Sequence, residues 1–420
     1  MHSKEIEAVR FLTERLLSTN LRKGYDLTRE FEYSYVRPSS KGDKWQWFWD
    51  SCFHSIAIAH VDPNQAKREL ETLVATQAED GFIGHKYYWG VRFGGYTQPW
   101  AIRQSRHEGR LTRSGIIHPP VLAQAVERVG HIIQDAAFPP PFMHALDAYH
   151  EWLDDNRAPD ADGLLVIISP YESGVDQSPA YDEARGVDGR SGRWRQALRD
   201  RLLGAKNWAS GYDSAAMLSK ANFYVKDAMV NGLYADSLAT MARMHKAQGN
   251  MEFAQMYAAR AELVTESLLE KMLDRSKGGF LSLIGREERR IEPLTVGGLV
   301  PLMVGGMPAD IVTEIIERHL LSREKFWLRY PLPSVAANEP SFNPRETRME
   351  WRGPTWVNTN WLVWRGLRRH GHAEAADQLA SRTVGLVARS GLREFYNPLS
   401  GAGMGAKDFG SSALALDMAA

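Results

Sequence analysis

Residues 230–263 (VNGLYADSLATMARMHKAQGNMEFAQMYAARAEL) indicate the architecture most directly, because they read as two helices joined by a tight turn. Apolar side chains recur every three or four positions up to Met244 and again up to Leu263, as they do on the buried face of a helix. Gly249 stands between the two runs, and glycine commonly ends a helix. This stretch therefore predicts an antiparallel helix pair.

A second stretch repeats the pattern later in the sequence. It is predicted to run as a helix from Trp356 to Arg369, to turn at Gly371 and to return as a helix through Val387. Further helices are predicted from Ser3 to about Leu17, from about Trp49, from Pro63, and from Pro119 to Val129. Alternation with a period of two is scarce, and the best candidate strands are 164–168 and 279–284. The sequence therefore predicts an all-α fold.

Long polar, glycine-rich loops separate the helices. They are residues 25–46, 81–99, 169–195, 330–353 and 393–409. Long loops inside a compact domain usually carry function. Helix pairs joined by such loops fit a toroid of antiparallel helices whose loops gather at one end. No flexible linker interrupts the pattern, so residues 1–420 are predicted to form a single domain.

Composition limits the classes of partner. The chain has 51 basic and 51 acidic residues, and this balance gives no general attraction to nucleic acid or to an anionic membrane. It has one cysteine, Cys52, so an internal disulfide is impossible and a reducing compartment fits best. The first residues carry charges and no apolar run, which predicts no signal peptide. We expect a cytoplasmic protein, and a homo-oligomer is plausible.

The first candidate motif is Trp45-Gln46-Trp47-Phe48-Trp49-Asp50. Three tryptophans within five residues are not a helix-core pattern, and aromatic faces pack well on the C–H faces of sugars. Asp50 could cap a helix or accept hydrogen bonds from two sugar hydroxyls. Tyr35 and Tyr88, which lie in the neighbouring loops, are further candidate substrate contacts.

The second motif, Tyr171 to Pro179, contains two carboxylates, a glycine and a proline. Cleavage of a glycosidic bond needs a protonated carboxylic acid at the leaving oxygen and a second carboxylate near the sugar ring. Glu172 and Asp176 are both candidates from these residues alone. A polar turn without catalytic function is the alternative.

The third motif spans Glu350 to Trp361 and holds Trp351, Trp356 and Arg352 around a Gly-Pro helix opening. The arginine could bind a carboxylate or orient a catalytic group. The alternative is an ordinary packed helix entry.

The fourth motif, Arg393 to Gly401, places Glu394 before an aromatic pair and a turn. Taken alone, such a glutamate is more often a surface acid.

Other chemistries find little support in the sequence. It contains no phosphate-binding loop, no dinucleotide-binding glycine motif and no serine-nucleophile elbow. The histidines lack the spacing of a zinc site, and Cys52 stands among aromatic residues, where a thiol is usually buried and inert. No metal and no cofactor is therefore predicted.

Taken in order, the four motifs resemble glycoside hydrolase family 63. The family pattern is a Trp-Asp pair, then E-S-G-x-D-x-S-P, then W-R-G-P-x-W-x-N-x-N, then a glutamate before Y-N-P-x-[S/T]-G. These correspond here to Trp49-Asp50, residues 172–179, residues 351–360 and residues 394–401. The ordered set covers most of the chain, from about residue 45 to 401, and parts of it also occur in the related trehalases.

The resemblance implies an (α/α)6 barrel and hydrolysis with inversion of the anomeric configuration. It implies that Asp176 is the general acid, that Glu394 is the general base, and that Glu172 is structural. It also implies a substrate pocket, and we assign to it Tyr35, Trp45, Trp49, Asp50, Tyr88, His118, Gly174, Trp351, Arg352 and Trp356.

A single barrel of this length is similar to the bacterial members of the family that hydrolyse mannosylglycerate and glucosylglycerate. Their substrates carry a carboxylate, so the site for the departing glycerate should offer cationic or hydroxyl donors. The candidates are the segment His85-Lys86-Tyr87-Tyr88 and the arginines Arg92 and Arg103, and a solvated basic loop is the alternative. His118 stands where the family has glutamine.

Two other functions remain open at this point. One is a trehalase-like or oligosaccharide α-glucosidase activity on neutral sugars, which a panel of substrates would separate from the first. The other is a sugar-binding helical toroid without catalysis, which would require the two carboxylates to lie too far apart to share a substrate.

Overall fold

The computed structural model describes residues 3–27, 29–42, 44–90, 102–104, 111–188, 193–345 and 348–420. Within these ranges the α-helices are α1 (Ser3–Asn20), α2 (Phe48–Ala59), α3 (Pro63–Val74), α4 (Leu122–Ile132), α5 (Met143–Arg157), α6 (Arg193–Ala209), α7 (Ser214–Lys220), α8 (Ala228–Ala247), α9 (Met251–Ser267), α10 (Ala309–Glu314), α11 (Val357–Arg369) and α12 (Ala373–Ser390).

Short strands lie in the segments between the helices. They are β1 (Leu21–Asp26), β2 (Phe31–Val36), β3 (Gln46–Trp47), β4 (Lys86–Tyr87), β5 (Ile102–Gln104), β6 (Leu111–Ser114), β7 (Val166–Ile167), β8 (Val225–Lys226), β9 (Leu273–Asp274), β10 (Gly279–Phe280), β11 (Leu283–Ile284), β12 (Arg289–Arg290), β13 (Arg393–Tyr396) and β14 (Gly403–Lys407). They pair in small antiparallel sheets, in the orders β1-β2, β3-β4-β6-β5, β12-β11-β8-β7, β10-β9 and β13-β14.

Six helical segments close into an inner ring. Going round the ring, α2 packs on α4, α4 on α8, α8 on the 3₁₀ helix Val296–Met303, and that helix on α11. The ring closes because α11 packs on the 3₁₀ helix Gly410–Ala415, which in turn contacts α2. All twelve residues of α2 are buried, as expected for a helix that is surrounded on every side.

Outer helices cover this ring. Helix α3 packs on α2, α9 on α8, and α12 on α11, while α1 contacts both α12 and the Gly410–Ala415 helix. The outer helices are amphipathic: α3 buries Ala66, Leu70 and Leu73, and its N-cap Asp62 accepts a hydrogen bond from Gln65 N at 3.0 Å. The predicted toroid of antiparallel helix pairs is therefore confirmed.

Two of the six inner positions are 3₁₀ rather than α-helical. In Val296–Met303, Pro301 lacks the N–H that an α-helix needs, and Gly297 and Gly298 disfavour the helix. Close packing explains one of these glycines, because a Cβ on Gly298 would lie 2.4 Å from the carbonyl oxygen of Phe280. In this part of the ring, the backbone of the 3₁₀ helix therefore packs directly against the backbone at Phe280.

The predicted helices are confirmed with small changes at their ends, and both helix pairs appear as α8–α9 and α11–α12. The predicted loops are only partly irregular, because β1 and β2 form a hairpin in the first and β13 and β14 another in the last. Phe31, Tyr33 and Tyr35 alternate along β2, which was the overlooked strand signal. No described helix combines the length and the apolar character that crossing a membrane requires.

Candidate active site

The predicted site residues gather where the inner helices begin. Asp50 lies in the first turn of α2, Trp356 directly precedes α11, and His118 precedes α4 by a few residues. Asp50 does not cap its helix, since Trp47 occupies the N-cap position. At α8 the N-cap Asp227 accepts a hydrogen bond from Tyr181, so the second motif reaches the same end of the ring.

The first and second motifs meet at Gly174. This glycine ends the 3₁₀ helix Pro170–Ser173 with φ +70°, and a Cβ there would lie 2.6 Å from the ring of Trp49. Only glycine suits both the left-handed backbone and this contact. The indole of Trp49 also packs against His118, with ring centroids 5.2 Å apart. The loop that carries Asp176 is therefore in direct contact with the first motif, through Gly174 and Trp49.

Two polar contacts connect the third motif to the second motif and to the residues that directly follow it. The backbone N–H of Glu350 donates to the side chain of Gln177 at 3.1 Å, next to Asp176. The Arg352 guanidinium donates to Asp182 at 2.5 Å. Both Arg352 and Asp182 are buried, so the arginine is already occupied by a carboxylate of the protein.

The third motif is joined to the fourth by aromatic stacking and by backbone pairing. Trp351 and Trp356 lie parallel, with centroids 3.9 Å apart, and Trp356 packs on Phe395 at 5.1 Å. Thr355 and Tyr396 exchange two backbone hydrogen bonds of 2.8 and 2.9 Å. Glu394 is thus held beside the tryptophan pair, and the four motifs form one continuous group.

Asp176 is a partly buried carboxylic acid in this group. Burial raises the pKa of Asp176 to about 6, the negative charges of Asp200 and Glu394 add to the rise, and Arg185 opposes it. Arg185 donates to the backbone carbonyl of Asp176 and pairs with Asp200 at 2.8 Å. An acid with such a pKa stays largely protonated in mildly acidic solution and can donate a proton.

Glu394 lies in β13, and its charge contributes to the raised pKa of Asp176. Its Oε2 atom accepts a hydrogen bond from the backbone N–H of Ala406 at 2.8 Å. Burial raises the pKa of Glu394, and this hydrogen bond works against the rise. Because the charge on Glu394 affects the pKa of Asp176, the two carboxyl groups share one electrostatic environment.

Glu172 is fully buried beneath the loop that carries Asp176. Its carboxylate accepts hydrogen bonds from the backbone N–H groups of Ile117 and Ile168, at 2.9 and 2.7 Å, and from Arg157 at 3.0 Å. All these partners belong to the protein interior, which agrees with the structural role that the family resemblance implies for Glu172.

Aromatic side chains near the first motif form a wall. Trp45 meets Tyr88 edge to face, with centroids 5.2 Å apart. Tyr35 is buried and its hydroxyl donates to the carbonyl of Lys44 at 2.7 Å, so that hydroxyl is engaged within the protein. His118 accepts from the backbone N–H of Trp49 at 3.4 Å, and burial lowers the pKa of His118 to about 3, which keeps it neutral.

The structure describes only some of the cationic residues that were predicted to bind glycerate. The Lys86 ammonium lies over the Trp47 ring, 3.7 Å from its centroid. Arg92 lies outside the described residues, and of Arg103 the structure describes only the backbone, in β5. Their assignment to the glycerate site remains a prediction.

One carboxyl group of the site was overlooked. Burial, together with the charges of Asp176 and Glu394, raises the pKa of Glu350 to about 7. The sequence offered a signal, because Glu350 opens the third motif, but a pKa depends on partners that only the fold brings together. Asp182 and Arg185 were likewise missed, although both follow Asp176 within ten residues.

In the described part of the chain, one acidic group has the spacing for a metal: Asp160, Asp162 and Glu288. The ammonium of Lys226 contacts all three carboxylates at 2.5 to 2.7 Å, and that of Lys271 contacts two of them. The lysines thus already neutralise this cluster.

Comparison with known proteins matches most of the chain. The family model of the mannosylglycerate hydrolase MGH1-like glycoside hydrolase domain matches residues 43–412. A mannosylglycerate hydrolase of Thermus thermophilus is 30% identical over 93% of this chain and 98% of its own. Mannosylglycerate hydrolase MGH1 of Selaginella moellendorffii is 29% identical over 96% and 83%. A glucosylglycerate hydrolase of Mycolicibacterium hassiacum is 27% identical over 86% and 88%.

A solved structure extends the likeness to three dimensions. A family 63 mannosylglycerate hydrolase from Thermus thermophilus, in complex with Tris and D-glycerate, superposes with a TM-score of 0.83. It is 28% identical, and the match covers 97% of this chain and 99% of that one. The fold is therefore of the (α/α)6 type, as predicted, and the resemblance that the four motifs suggested is confirmed.

Proposed function

The chain belongs to the family of mannosylglycerate hydrolase MGH1-like glycoside hydrolases, and on this premise we propose that it hydrolyses mannosylglycerate, glucosylglycerate or both to the hexose and D-glycerate, with inversion. The observation that carries the proposal is the continuous group of four motifs in which Asp176 and Glu394 interact electrostatically. The relatives named above supply the substrate class.

In this proposal Asp176 protonates the glycosidic oxygen as the bond to glycerate breaks. Glu394 removes a proton from a water that attacks the opposite face of the sugar, and an inverting pair leaves about 6.5–9.5 Å between the carboxyl groups for that water. The raised pKa of Asp176 supports the acid role. Trp49, Asp50, Trp351 and Trp356 would contact the sugar, with Tyr35, Trp45, Tyr88, His118, Gly174 and Arg352 as the remaining proposed contacts or supports.

The test is hexose release from mannosylglycerate and glucosylglycerate by the wild type, Asp176→Asn and Glu394→Gln. Each variant keeps the shape of its side chain but loses the ability to exchange a proton. We expect turnover by the wild type and a loss of at least about a thousandfold in each variant, with unchanged circular dichroism. If either variant hydrolysed the substrates as fast as the wild type, the role assigned to that residue would be refuted.

A neutral glycoside is the second candidate substrate, and Glu350 is the observation in its favour. An ionised Glu350 beside Asp176 would repel the carboxylate of glycerate, whereas it could accept a hydrogen bond from a neutral sugar. Trehalose and nigerose belong in the same assay for this reason. Turnover of these sugars without the glycerate glycosides would favour this candidate.

We further propose that the enzyme works in the cytoplasm as a single-domain protein. Two observations support this: Cys52 is free and buried, and one hydrophobic cluster extends from Val9 to Met418.

A further inference from the structure

An open cleft of about 1080 Å³ lies at the end of the inner ring opposite to the candidate active site. Its walls are the C-terminal parts of α4, α8 and α11, whereas the site residues gather where the inner helices begin. Helix α11 has 13 residues and rises about 1.5 Å per residue, so roughly 20 Å of helix separates its end in the cleft from Trp356. The volume is large enough for a small organic molecule.

Five arginines line the cleft, and four of them have a carboxylate partner. The four pairs are Arg128–Asp417, Arg243–Glu127, Arg369–Asp236 and Arg368–Asp377. The first two pairs are close, with nitrogen–oxygen distances of 2.7 Å. Arg368 and Asp377 are 3.4 Å apart, and both side chains are more than half exposed. The charge of the cleft therefore depends on the fifth arginine, Arg365.

Arg365 has no such partner. Among the described residues, none forms a hydrogen bond or an ion pair with its guanidinium, and its Nη1 atom is sealed from solvent. The guanidinium lies over the Trp361 ring, 5.1 Å from the centroid. Burial lowers the pKa of Arg365, Asp236 opposes the shift, and the charge of Arg369 adds to it. A cation that is sealed in this way without hydrogen bonds is costly, which points to an acceptor from outside the chain.

Neutralisation of a helix end does not explain Arg365. Arg368 and Arg369 lie in the last turn of α11, where cations interact favourably with the helix dipole. Arg365 lies one turn earlier, on the same face, at spacings of three and four residues from the other two. Like charges at these spacings repel one another. An anion bound between them would relieve this repulsion and supply the missing hydrogen bonds.

The rest of the cleft offers apolar surface. Trp364, Pro139 and Pro140 contribute to its lining. Asp135 and Ala420 also line it, but both are exposed, so solvent and salt screen negative charge at these positions. An inorganic ion would use the arginines alone, whereas an organic anion would use the arginines and the apolar surface together.

We propose that this cleft binds a small organic phosphate, with its doubly charged phosphate group on Arg365 and Arg368 and its carbon body against Trp364. The planar guanidinium matches the geometry of phosphate oxygens and keeps its proton in neutral solution. Arg368 can turn from Asp377 to the ligand, because an exposed pair of this kind is weak. Two cationic groups suit a dianion better than a carboxylate, which carries a single charge.

The first test titrates the wild-type protein with phenyl phosphate by calorimetry, at constant ionic strength and at a pH of about 7.5, where a phosphate monoester carries close to two charges. Benzenesulfonate has the same ring and a single charge, so it is the matched control ligand. We expect phenyl phosphate to bind at least about tenfold more tightly than benzenesulfonate or inorganic phosphate. Equal affinity for benzenesulfonate would overturn the proposed phosphate group, and equal affinity for inorganic phosphate would overturn the proposed carbon body.

The second test identifies the arginines. Arg365→Gln should weaken the binding of phenyl phosphate by at least about tenfold, and Arg368→Gln should weaken it by less, because Arg368 is exposed. Arg365→Lys keeps the charge but loses the planar donors, so its affinity should lie between those of the wild type and Arg365→Gln. Arg15→Gln, which breaks an ion pair with Asp408 on α1, is the control and should bind as the wild type does.

Melting temperatures give a separate readout. Without ligand, Arg365→Gln should unfold at no lower temperature than the wild type, because a cation without hydrogen bonds is removed. Phenyl phosphate should raise the melting temperature of the wild type but not that of Arg365→Gln. If phenyl phosphate stabilised both proteins equally, or bound both with the same affinity, it would bind elsewhere and the proposal would be wrong.

Discussion

At the scale of single residues, the carboxyl groups around Asp176 should set how activity depends on pH. Asp176 must hold its proton to act as the proposed general acid, so we expect kcat to fall as the pH rises through about 6. In Asp200→Asn a like charge is lost and Arg185 is released from its partner, and both changes favour the ionised form of Asp176. The alkaline fall should therefore move to lower pH. Asp377→Asn, on an exposed pair in α12, is the control; equal profiles for the two variants would contradict this reading.

Glu350 should act on substrates according to their charge. Its pKa of about 7 means that it ionises as the solution becomes alkaline, when it would repel an anionic aglycone. Glu350→Gln should lower KM for a glycerate glycoside by about tenfold at pH 8 and by much less at pH 5.5. KM for a neutral glycoside should hardly change at either pH. A similar effect on both substrates would show that Glu350 acts through packing instead.

At the scale of elements, the end of the 3₁₀ helix Pro170–Ser173 is a sensitive point. Gly174→Ala would place a side chain in a left-handed backbone and against Trp49, whereas Gly249→Ala meets the same backbone demand with open space around it. The control should lose about 1–2 kcal/mol of unfolding free energy and keep its activity. Gly174→Ala should lose more stability and most of its kcat. Denaturant unfolding and steady-state kinetics of both variants measure this difference.

Helices with strong periodicity were predictable, while several other elements were not. The α8–α9 and α11–α12 pairs each contain a regular apolar face and a glycine turn, so local sequence sufficed. Helix α6 could not be read in this way, because most of its large apolar side chains are exposed and its two fully buried side chains are polar. The 3₁₀ form of Val296–Met303 has a local signal in Pro301 and the two glycines, but the backbone contact that requires glycine at 298 exists only in the fold.

The candidate site was predictable in content but not in geometry. The four motifs named most of its residues, and their order along the chain allowed the family to be identified. The pairing of Arg352 with Asp182 and the coupling of Glu350 to Asp176 depend on residues distant in sequence, so local patterns could not reveal them.

At the scale of the whole molecule, buried carboxyl groups should confine stability to a window of pH. Burial raises the pKa of Glu69 to about 8, so its contribution is complete below about 4.5 and is lost as the pH rises through 8. Arginines lower the pKa of Asp236, and His60 and Arg128 that of Asp417, so their contributions are lost as the pH falls below 3.8. The melting temperature should be highest between about pH 3.8 and pH 4.5, and it should fall as the pH rises from there to 8 or drops below 3.8.

The alkaline side of this window can be assigned to Glu69. Its carboxyl accepts hydrogen bonds from Val36 N and from the Ser51 hydroxyl, at 2.7 and 2.6 Å. Gln does not ionise, and its amide oxygen could keep the bond from Val36 N while its amide NH₂ donates to the Ser51 oxygen. Glu69→Gln should therefore flatten the fall in melting temperature between about pH 4.5 and pH 8, whereas Glu71→Gln on the exposed side of α3 should not. A fall of unchanged slope in Glu69→Gln would assign it to another group.

The contact of Trp49 with Gly174 has a consequence for directed evolution of this catalyst. Replacing Trp49 by a smaller residue, to admit bulkier sugars, also removes the side chain that contacts Gly174 in the loop that carries Asp176, so under the proposed roles broadened selectivity and impaired protonation would arise together. Libraries aimed at new substrates would do better to vary Trp45 and Tyr88, whose mutual contact leaves that loop untouched. Under the proposed roles, selectivity and chemistry are therefore coupled at Trp49 and separable at Trp45 and Tyr88.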